Sequence, residues 1–365
     1  MSKTIIKLNR DLLCFQCLRC EKTYPVGDYD RGCMECFHET KSSSLTAIYR
    51  DSNSTKQPFD TYLSMGEGQT PLIPIPYNKQ SIYLKNESMN PTGSHKDRLS
   101  AYIVSKALYN KSKGVVIASS GNAGISLASY AAYAGLECIV ISTKALNDKV
   151  RTIIQNTGSQ LILTDTAMDR WGIMETYVEN GYYPATNFIN PPVGSNPYGV
   201  QGLKNIASEI NLQLSEKEAT HIIVPTSRAD LLWGIWEGFK EEKERDRLLF
   251  LPKMFAVEPF PRLSAVIKGA DYTQEFKGHT SLPSIAGSTV TYQGVKALAE
   301  SNGHAVVVKT DEAIEAKKSL EKRGIHLEVS SAASVSAVDI ITKSLKLNNE
   351  AVIVAIGTSS SFIEI

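Results

Sequence analysis

Two cysteine pairs, Cys17-Leu18-Arg19-Cys20 and Cys33-Met34-Glu35-Cys36, stand twelve residues apart. Each pair can set two thiolates on one tetrahedral Zn²⁺, and four thiolates close its coordination shell, so the site they imply is structural. Cys14 makes Cys14-x-x-Cys17 an equally spaced first pair; the shorter connection favours Cys17 and Cys20. The alternative is a set of reduced cysteines without metal. Zinc binding, on the order of 10 kcal/mol in small peptides, is what would let so short a segment fold. A lysine with chemical prospects sits in Asn90-Pro91-Thr92-Gly93-Ser94-His95-Lys96-Asp97-Arg98. A lysine amine whose pKa is lowered by burial can condense with an aldehyde and later serve as a base, although an isolated lysine on a helix is ordinarily a solvated charge. Ser119-Ser120-Gly121-Asn122-Ala123-Gly124 follows an apolar run and opens a helical pattern. Small residues at such a turn bare N–H groups at the positive end of a helix, which suits a carboxylate. Alone, that hexapeptide reads as an ordinary helix start.

The elements that must position these groups follow an α/β pattern. Short apolar runs at Ser81–Leu84, Gly114–Ala118, Glu137–Ser142, Gln160–Leu163, His221–Pro225, Met254–Val257, Ala305–Lys309 and Ala351–Ile356 predict buried strands. Helical stretches at Asn122–Tyr133, Lys149–Gln155 and Leu231–Lys240 alternate with them, which predicts a largely parallel sheet. The polar stretches Lys41–Ser44 and Arg50–Ser54 read as linkers, and the body starts near Tyr62. With 365 residues, 42% of them hydrophobic and 21% charged, the chain can bury two or three lobes. Lys plus Arg total 39 against 38 for Asp plus Glu, so no positive excess is available for nucleic acid or an anionic membrane. No run reaches the length of a membrane span and the first residues lack the apolar core of a signal peptide, so the expected location is the cytoplasm. Five of the six cysteines fall between Cys14 and Cys36, which points to metal rather than to a disulfide framework.

The lysine string resembles the Asn-Pro-Thr-Gly-Ser-x-Lys-Asp-Arg segment of the threonine synthase-like family of fold-type-II pyridoxal-phosphate enzymes. Other segments match in the expected order: Gly66-Glu67-Gly68-Gln69-Thr70-Pro71-Leu72, Tyr83-Leu84-Lys85-Asn86-Glu87, and Glu328-Val329-Ser330-Ser331-Ala332-Ala333-Ser334. The resemblance implies that Lys96 binds the cofactor covalently and moves protons on the substrate. It also implies that Ser119, Ser120, Gly121, Asn122 and Ala123 hold the substrate carboxylate, with Asn122 reaching the cofactor's ring hydroxyl. After the last strand, Gly357-Thr358-Ser359-Ser360 occupies the place where the family sets a hydroxyl against the pyridine nitrogen. Thr358 is the expected residue and Ser359 the near alternative. A neutral hydroxyl does not hold that nitrogen protonated, which suits elimination and replacement chemistry.

Two departures stand out. The family's cofactor-phosphate cup is a glycine-rich turn, whereas this chain reads Thr226-Ser227-Arg228-Ala229-Asp230. Glycines serve there because a phosphate must touch several backbone N–H groups, some at dihedrals costly for other residues. In one reading Thr226, Ser227 and Arg228 grip the phosphate at a helix start while Asp230 points outward as a cap; in the other, cofactor binding is weakened or lost. The second departure is Gly199, in Asn196-Pro197-Tyr198-Gly199, where threonine synthases carry an arginine on the substrate phosphate; Lys204 and Arg151 are the cations able to compensate.

The implied fold is tryptophan synthase beta-like: a zinc-ribbon-like segment over residues 1–45, a large cofactor domain over 46–92 and 198–365, and a small α/β domain over 93–197, with the cofactor in the cleft. The implied reaction is elimination or replacement on a small amino acid, most specifically O-phosphohomoserine plus water to threonine plus phosphate. Alternatives are β-replacement or β-elimination on O-phosphoserine, serine or threonine, and a silent paralogue that binds without turnover. The resemblance also implies structural zinc on Cys17, Cys20, Cys33 and Cys36, a place in amino-acid biosynthesis, and a homodimer.

Overall fold

The computed structural model describes residues 5–50, 56–77 and 80–364. Asp51–Ser54 of the second expected linker therefore lie outside the described residues. The chain divides into two compact units: one runs to Glu67 and resumes over Lys96–Gly202, the other comprises Gly68–His95 and Leu203–Glu364.

The first unit holds a four-stranded parallel sheet in the order Gln160–Thr164, Glu137–Thr143, Gly114–Ala118, Tyr182–Pro184. All five residues of Gly114–Ala118 are buried, as expected of a strand covered on both faces. Val116, Ile139, Ile141, Met174 and Phe188 form the core on one side. The helix Asn122–Ala134 ends at Gly135, whose φ of 69° returns its N–H to the carbonyls of Ala131 and Ala132. That left-handed turn is why a glycine stops the helix there. Asn147 caps Asp148–Asn156 by accepting from the Lys149 N–H at 2.8 Å. Ahead of the sheet, Leu12–Cys17 pairs antiparallel with Thr23–Tyr24 and Leu45–Tyr49.

The second unit is built on six strands in the order His304–Val307, Lys253–Glu258, His221–Pro225, Val352–Gly357, Gln80–Asn86, Leu72–Tyr77. Neighbours are parallel except the last pair. Leu72–Tyr77 has no counterpart among the expected strands because Pro74 and Pro76 interrupt its pattern; it is an edge strand, where the ladder tolerates missing N–H donors. The helix Val329–Leu345 lays Ala333, Ala337 and Ile341 on Leu84, Ile223 and Ile353 of the sheet.

One expectation fails here for a physical reason. Lys41–Ser44 is no linker: Ser42 and Ser43 are fully buried, and the carbonyls of Ser43 and Ser44 accept from Cys33 at 2.9 Å and Leu18 at 3.1 Å. Polar residues can be interior when their backbone groups are paired. Gly199 is a packing position, because a Cβ there would lie 2.9 Å from the end of Ile103, on the helix Lys96–Asn110. Gly202 is tighter still: its Cβ would stand 2.1 Å from the Arg98 carbonyl oxygen. Since backbone cannot swing aside as a side chain can, Gly202→Ala is expected to cost at least about 2 kcal/mol. Thermal unfolding should show a midpoint lowered by several degrees, and an unchanged midpoint would refute this packing.

Candidate functional site

In the second unit the sequence motifs meet as one hydrogen-bonded assembly. Asn90 of the lysine motif donates to the Glu87 carboxylate at 2.9 Å and accepts from the Gly68 N–H at 2.9 Å. The Thr70 hydroxyl donates to the same carboxylate at 2.6 Å. Lys85, fully buried, donates to the Thr70 carbonyl at 2.6 Å and pairs with Glu209 at 2.6 Å. A buried ammonium needs such partners. Lys85 is thus structural.

The residues leading into Lys96 are pinned to the C-terminal motif. Ser94 and Ser359 form an antiparallel bridge. The His95 N–H donates to the Thr358 carbonyl at 2.9 Å, and that of Ser360 to the Gly93 carbonyl at 2.9 Å. Ser331, at the start of Val329–Leu345, accepts from the N–H groups of Thr358 at 2.6 Å and Ser359 at 3.3 Å. Thr358 is therefore fixed one residue across from the lysine's own peptide. The Ser359 hydroxyl is sealed from solvent and has no hydrogen-bond partner among the described residues. Buried hydroxyls are ordinarily paired, so this one is suited to a group supplied by a ligand. Both hydroxyls named from the sequence stay eligible. The Ser-Ser-Ala-Ala segment thus supplies a positioning group, Ser331, that its sequence alone does not single out.

The glycine-free loop reaches the helix Asp230–Glu244 through Ala229, whose φ of 64° is the left-handed turn that glycine would adopt without strain. The Thr226 hydroxyl donates to the Val224 carbonyl at 2.7 Å. Asp230 does not point outward as a cap: it is buried and accepts from Gln293 at 2.7 Å, because burial is tolerable for a carboxylate only with a donor. Arg228 is half-buried, and burial pushes its pKa below the usual arginine value while Asp230 pulls it back. Among the described residues it makes no ion pair within 4.0 Å.

In the first unit, Lys96 opens the helix Lys96–Asn110, followed by Asp97 and Arg98, both buried. The Ser126 hydroxyl donates to Asp97 at 2.6 Å, locking this helix to Asn122–Ala134. Tyr130, on the same second helix, donates to Glu67 at 2.7 Å. The Ser119 hydroxyl accepts from Gly121 at 3.3 Å and Gly124 at 3.1 Å. The N–H groups of Ser120 and Ala123 have no partner in the described chain, at the start of a 13-residue helix. That is a ready anion site. Asn122 lies buried in its first turn.

The four cysteines Cys17, Cys20, Cys33 and Cys36 come together, with all sulfurs within 4.8 Å of one another. Cys17 and Cys36 are 3.6 Å apart, as are Cys20 and Cys33. Metal–sulfur bonds of about 2.3 Å give a tetrahedral edge of about 3.8 Å, which these spacings fit. Burial raises the Cys17 thiol, yet donation from the Cys20 N–H, the Ser43 hydroxyl and the Arg19 N–H outweighs it and holds the pKa down at about 7. Cys14 is not in the cluster: three residues from Cys17 on one strand, it falls on the opposite face.

Of the two candidate compensating cations, Lys204 is buried and paired with Glu241 at 2.5 Å. Arg151 faces Asp148 at 3.6 Å.

Residues 63–359 match the profile of a family described as pyridoxal-phosphate dependent enzyme. The chain belongs to that family. Threonine synthase of Methanocaldococcus jannaschii is 28% identical, with 94% of this chain and 91% of that enzyme covered. That of Methanosarcina acetivorans is 29% identical over 90% and 83%, and that of Halalkalibacterium halodurans 31% over 76% and 77%. Among solved structures, a pyridoxal 5'-phosphate-dependent aspartate racemase has a TM-score of 0.68 at 22% identity, covering 80% of this chain and 90% of that one. An O-acetyl serine sulfhydrylase from Entamoeba histolytica gives 0.66 at 23%, covering 85% and 91%. The fold is that of the type-II enzymes. Within the family this chain is a divergent threonine synthase-like member, a pyridoxal-phosphate-dependent lyase for elimination or replacement chemistry. Among the described residues, no helix is long and apolar enough to cross a membrane.

Proposed function

We propose that the chain converts O-phosphohomoserine and water to threonine and phosphate. The observation that carries this reading is that relatives named threonine synthase match along up to 94% of the chain. When bound, pyridoxal phosphate supplies the electron sink for negative charge developing on the substrate carbons. Lys96 holds the cofactor covalently and then takes and returns protons at those carbons. The loop Ser119, Ser120, Gly121, Asn122 and Ala123 would orient the substrate carboxylate, chiefly through the N–H groups of Ser120 and Ala123, and the Asn122 side chain would serve the cofactor's ring hydroxyl. Thr358, or Ser359 beside it, would offer the ring nitrogen a neutral hydroxyl, which does not hold that nitrogen protonated as a carboxylate would. Ser227, Arg228 and the start of Asp230–Glu244 would hold the cofactor phosphate, while Thr226 anchors the loop, its N–H on the Val257 carbonyl and its hydroxyl on the Val224 carbonyl. The four clustered cysteines hold structural zinc, whose tetrahedral shell their spacing fits.

Gly199 favours a second reading, β-replacement or β-elimination on O-phosphoserine or a related activated serine. The helix face that would carry a phosphate-binding arginine is packed against Ile103, and Lys204 is committed to Glu241. Phosphate and ammonia release from O-phosphohomoserine, O-phosphoserine, serine and threonine separates the two. The highest kcat/KM is expected for O-phosphohomoserine, with threonine as product; faster release from O-phosphoserine would replace this reading with the second.

A further inference from the structure

The loop Thr226–Asp230 holds its shape without glycine because its carbonyl oxygens are tied from one side. The Arg262 guanidinium donates to the carbonyls of Thr226 at 2.8 Å and Ser227 at 3.5 Å. It also donates to Ile285 at 3.2 Å and to Gly287. The third loop carbonyl, that of Arg228, accepts from Thr291 at 2.5 Å and Gln293 at 2.9 Å. Arg262 is 1% exposed and is backed by Glu258, 3.8 Å from its Nε. The Glu258 carboxylate accepts in turn from the N–H groups of Arg262, Leu263 and Ser264 at 3.1, 2.8 and 3.0 Å. Room for the loop's side chains comes from glycines opposite: a Cβ on Gly287 would stand 2.8 Å from the Ser227 hydroxyl, and one on Gly294 2.7 Å from the Ala229 methyl.

In a trans peptide the C=O and the following N–H point in opposite directions. Tying the carbonyls of Thr226, Ser227 and Arg228 inward therefore turns the N–H groups of Ser227, Arg228 and Ala229 outward. None of these three has a partner in the described chain. We propose that Arg262 is the positioning residue of an anion cradle, presenting three consecutive backbone N–H groups to the phosphate of the cofactor. This rests on reading the loop as the cofactor-phosphate site. Arg262 itself touches no ligand; it does from behind what glycines do by their freedom in an ordinary phosphate turn. Its signal in the sequence is an arginine four residues after the glutamate that ends the strand Lys253–Glu258.

The test compares dissociation constants for pyridoxal 5'-phosphate and pyridoxal in the unaltered protein, Arg262→Lys, Arg262→Met and Gly287→Ala, with folding checked by circular dichroism. General loosening weakens both ligands together, whereas a lost cradle weakens only the phosphorylated one. The preference for the phosphorylated ligand, the pyridoxal constant divided by the pyridoxal 5'-phosphate constant, is expected to fall about tenfold or more in the Arg262 variants, the worth of one or two charge-assisted hydrogen bonds. Gly287→Ala, which leaves the buried cation in place and pushes on Ser227, should lower it in the same direction. An unaltered protein that prefers pyridoxal 5'-phosphate, with the same preference in every folded variant, would overturn the role of Arg262 and leave the loop reading intact. An unaltered protein that binds both ligands equally would overturn the loop reading itself.

Discussion

Lys96→Ala is expected to lower kcat by at least about 10³-fold, since one substitution removes both the covalent attachment and the base. Lys96→Arg should not rescue it: a guanidinium stays protonated and is no nucleophile at neutral pH. The backbone around the site should survive, because backbone groups hold the segment Gly93–His95 to Thr358–Ser360. Steady-state kinetics with a thermal melt checks both halves. Turnover within tenfold of the unaltered protein would remove Lys96 from its role.

The second large effect concerns the cysteine cluster. Cys33→Ser takes one thiolate from the set, and zinc held by four thiolates contributes on the order of 10 kcal/mol to folding a small segment. The knuckle is also joined to the rest of its unit. Phe15 packs on Tyr198 at 5.1 Å, and Asp28 accepts from Asn110 at 2.9 Å and pairs with Lys106 at 3.3 Å, both on the lysine helix. Metal analysis is expected to find one zinc per chain in the unaltered protein and in Cys14→Ser, and much less in Cys33→Ser, whose residues 12–49 should become open to protease. Full zinc content in Cys33→Ser, or its loss in Cys14→Ser, would reassign the ligands.

The fold was legible wherever residues spoke in runs. Buried parallel strands such as His221–Pro225 announce themselves as unbroken apolar stretches, and small-residue turns mark the helix starts after them. The motif strings led to the groups that meet in the second unit, because the strings pair with one another: Ser94 and His95 of the lysine motif meet Ser359 and Thr358 of the C-terminal one. What stayed hidden depended on partners outside any motif string. Nothing around Asp230 says that Gln293 will draw it inward, and nothing around Gly199 and Gly202 says that a helix a hundred residues earlier passes within touching distance. Ser42 and Ser43 read as linker because hydroxyl side chains do not reveal that Cys33 and Leu18 will use the carbonyls of Ser43 and Ser44. Arg262 was invisible for the same reason: a lone arginine after a strand is ordinarily a surface charge. In the structure burial pushes its pKa down to about 10, with Glu258 pulling it back, which still leaves it cationic at neutral pH among the carbonyls it organises.

The central claim is that Lys96 carries pyridoxal phosphate. Incubation with the cofactor, reduction with borohydride and peptide mass spectrometry tests it most directly. A pyridoxyl group on the peptide containing Lys96, absent from Lys96→Ala, is the predicted result. A pyridoxyl group on another lysine, or none, would contradict the account, and the latter would favour a protein that binds without turnover.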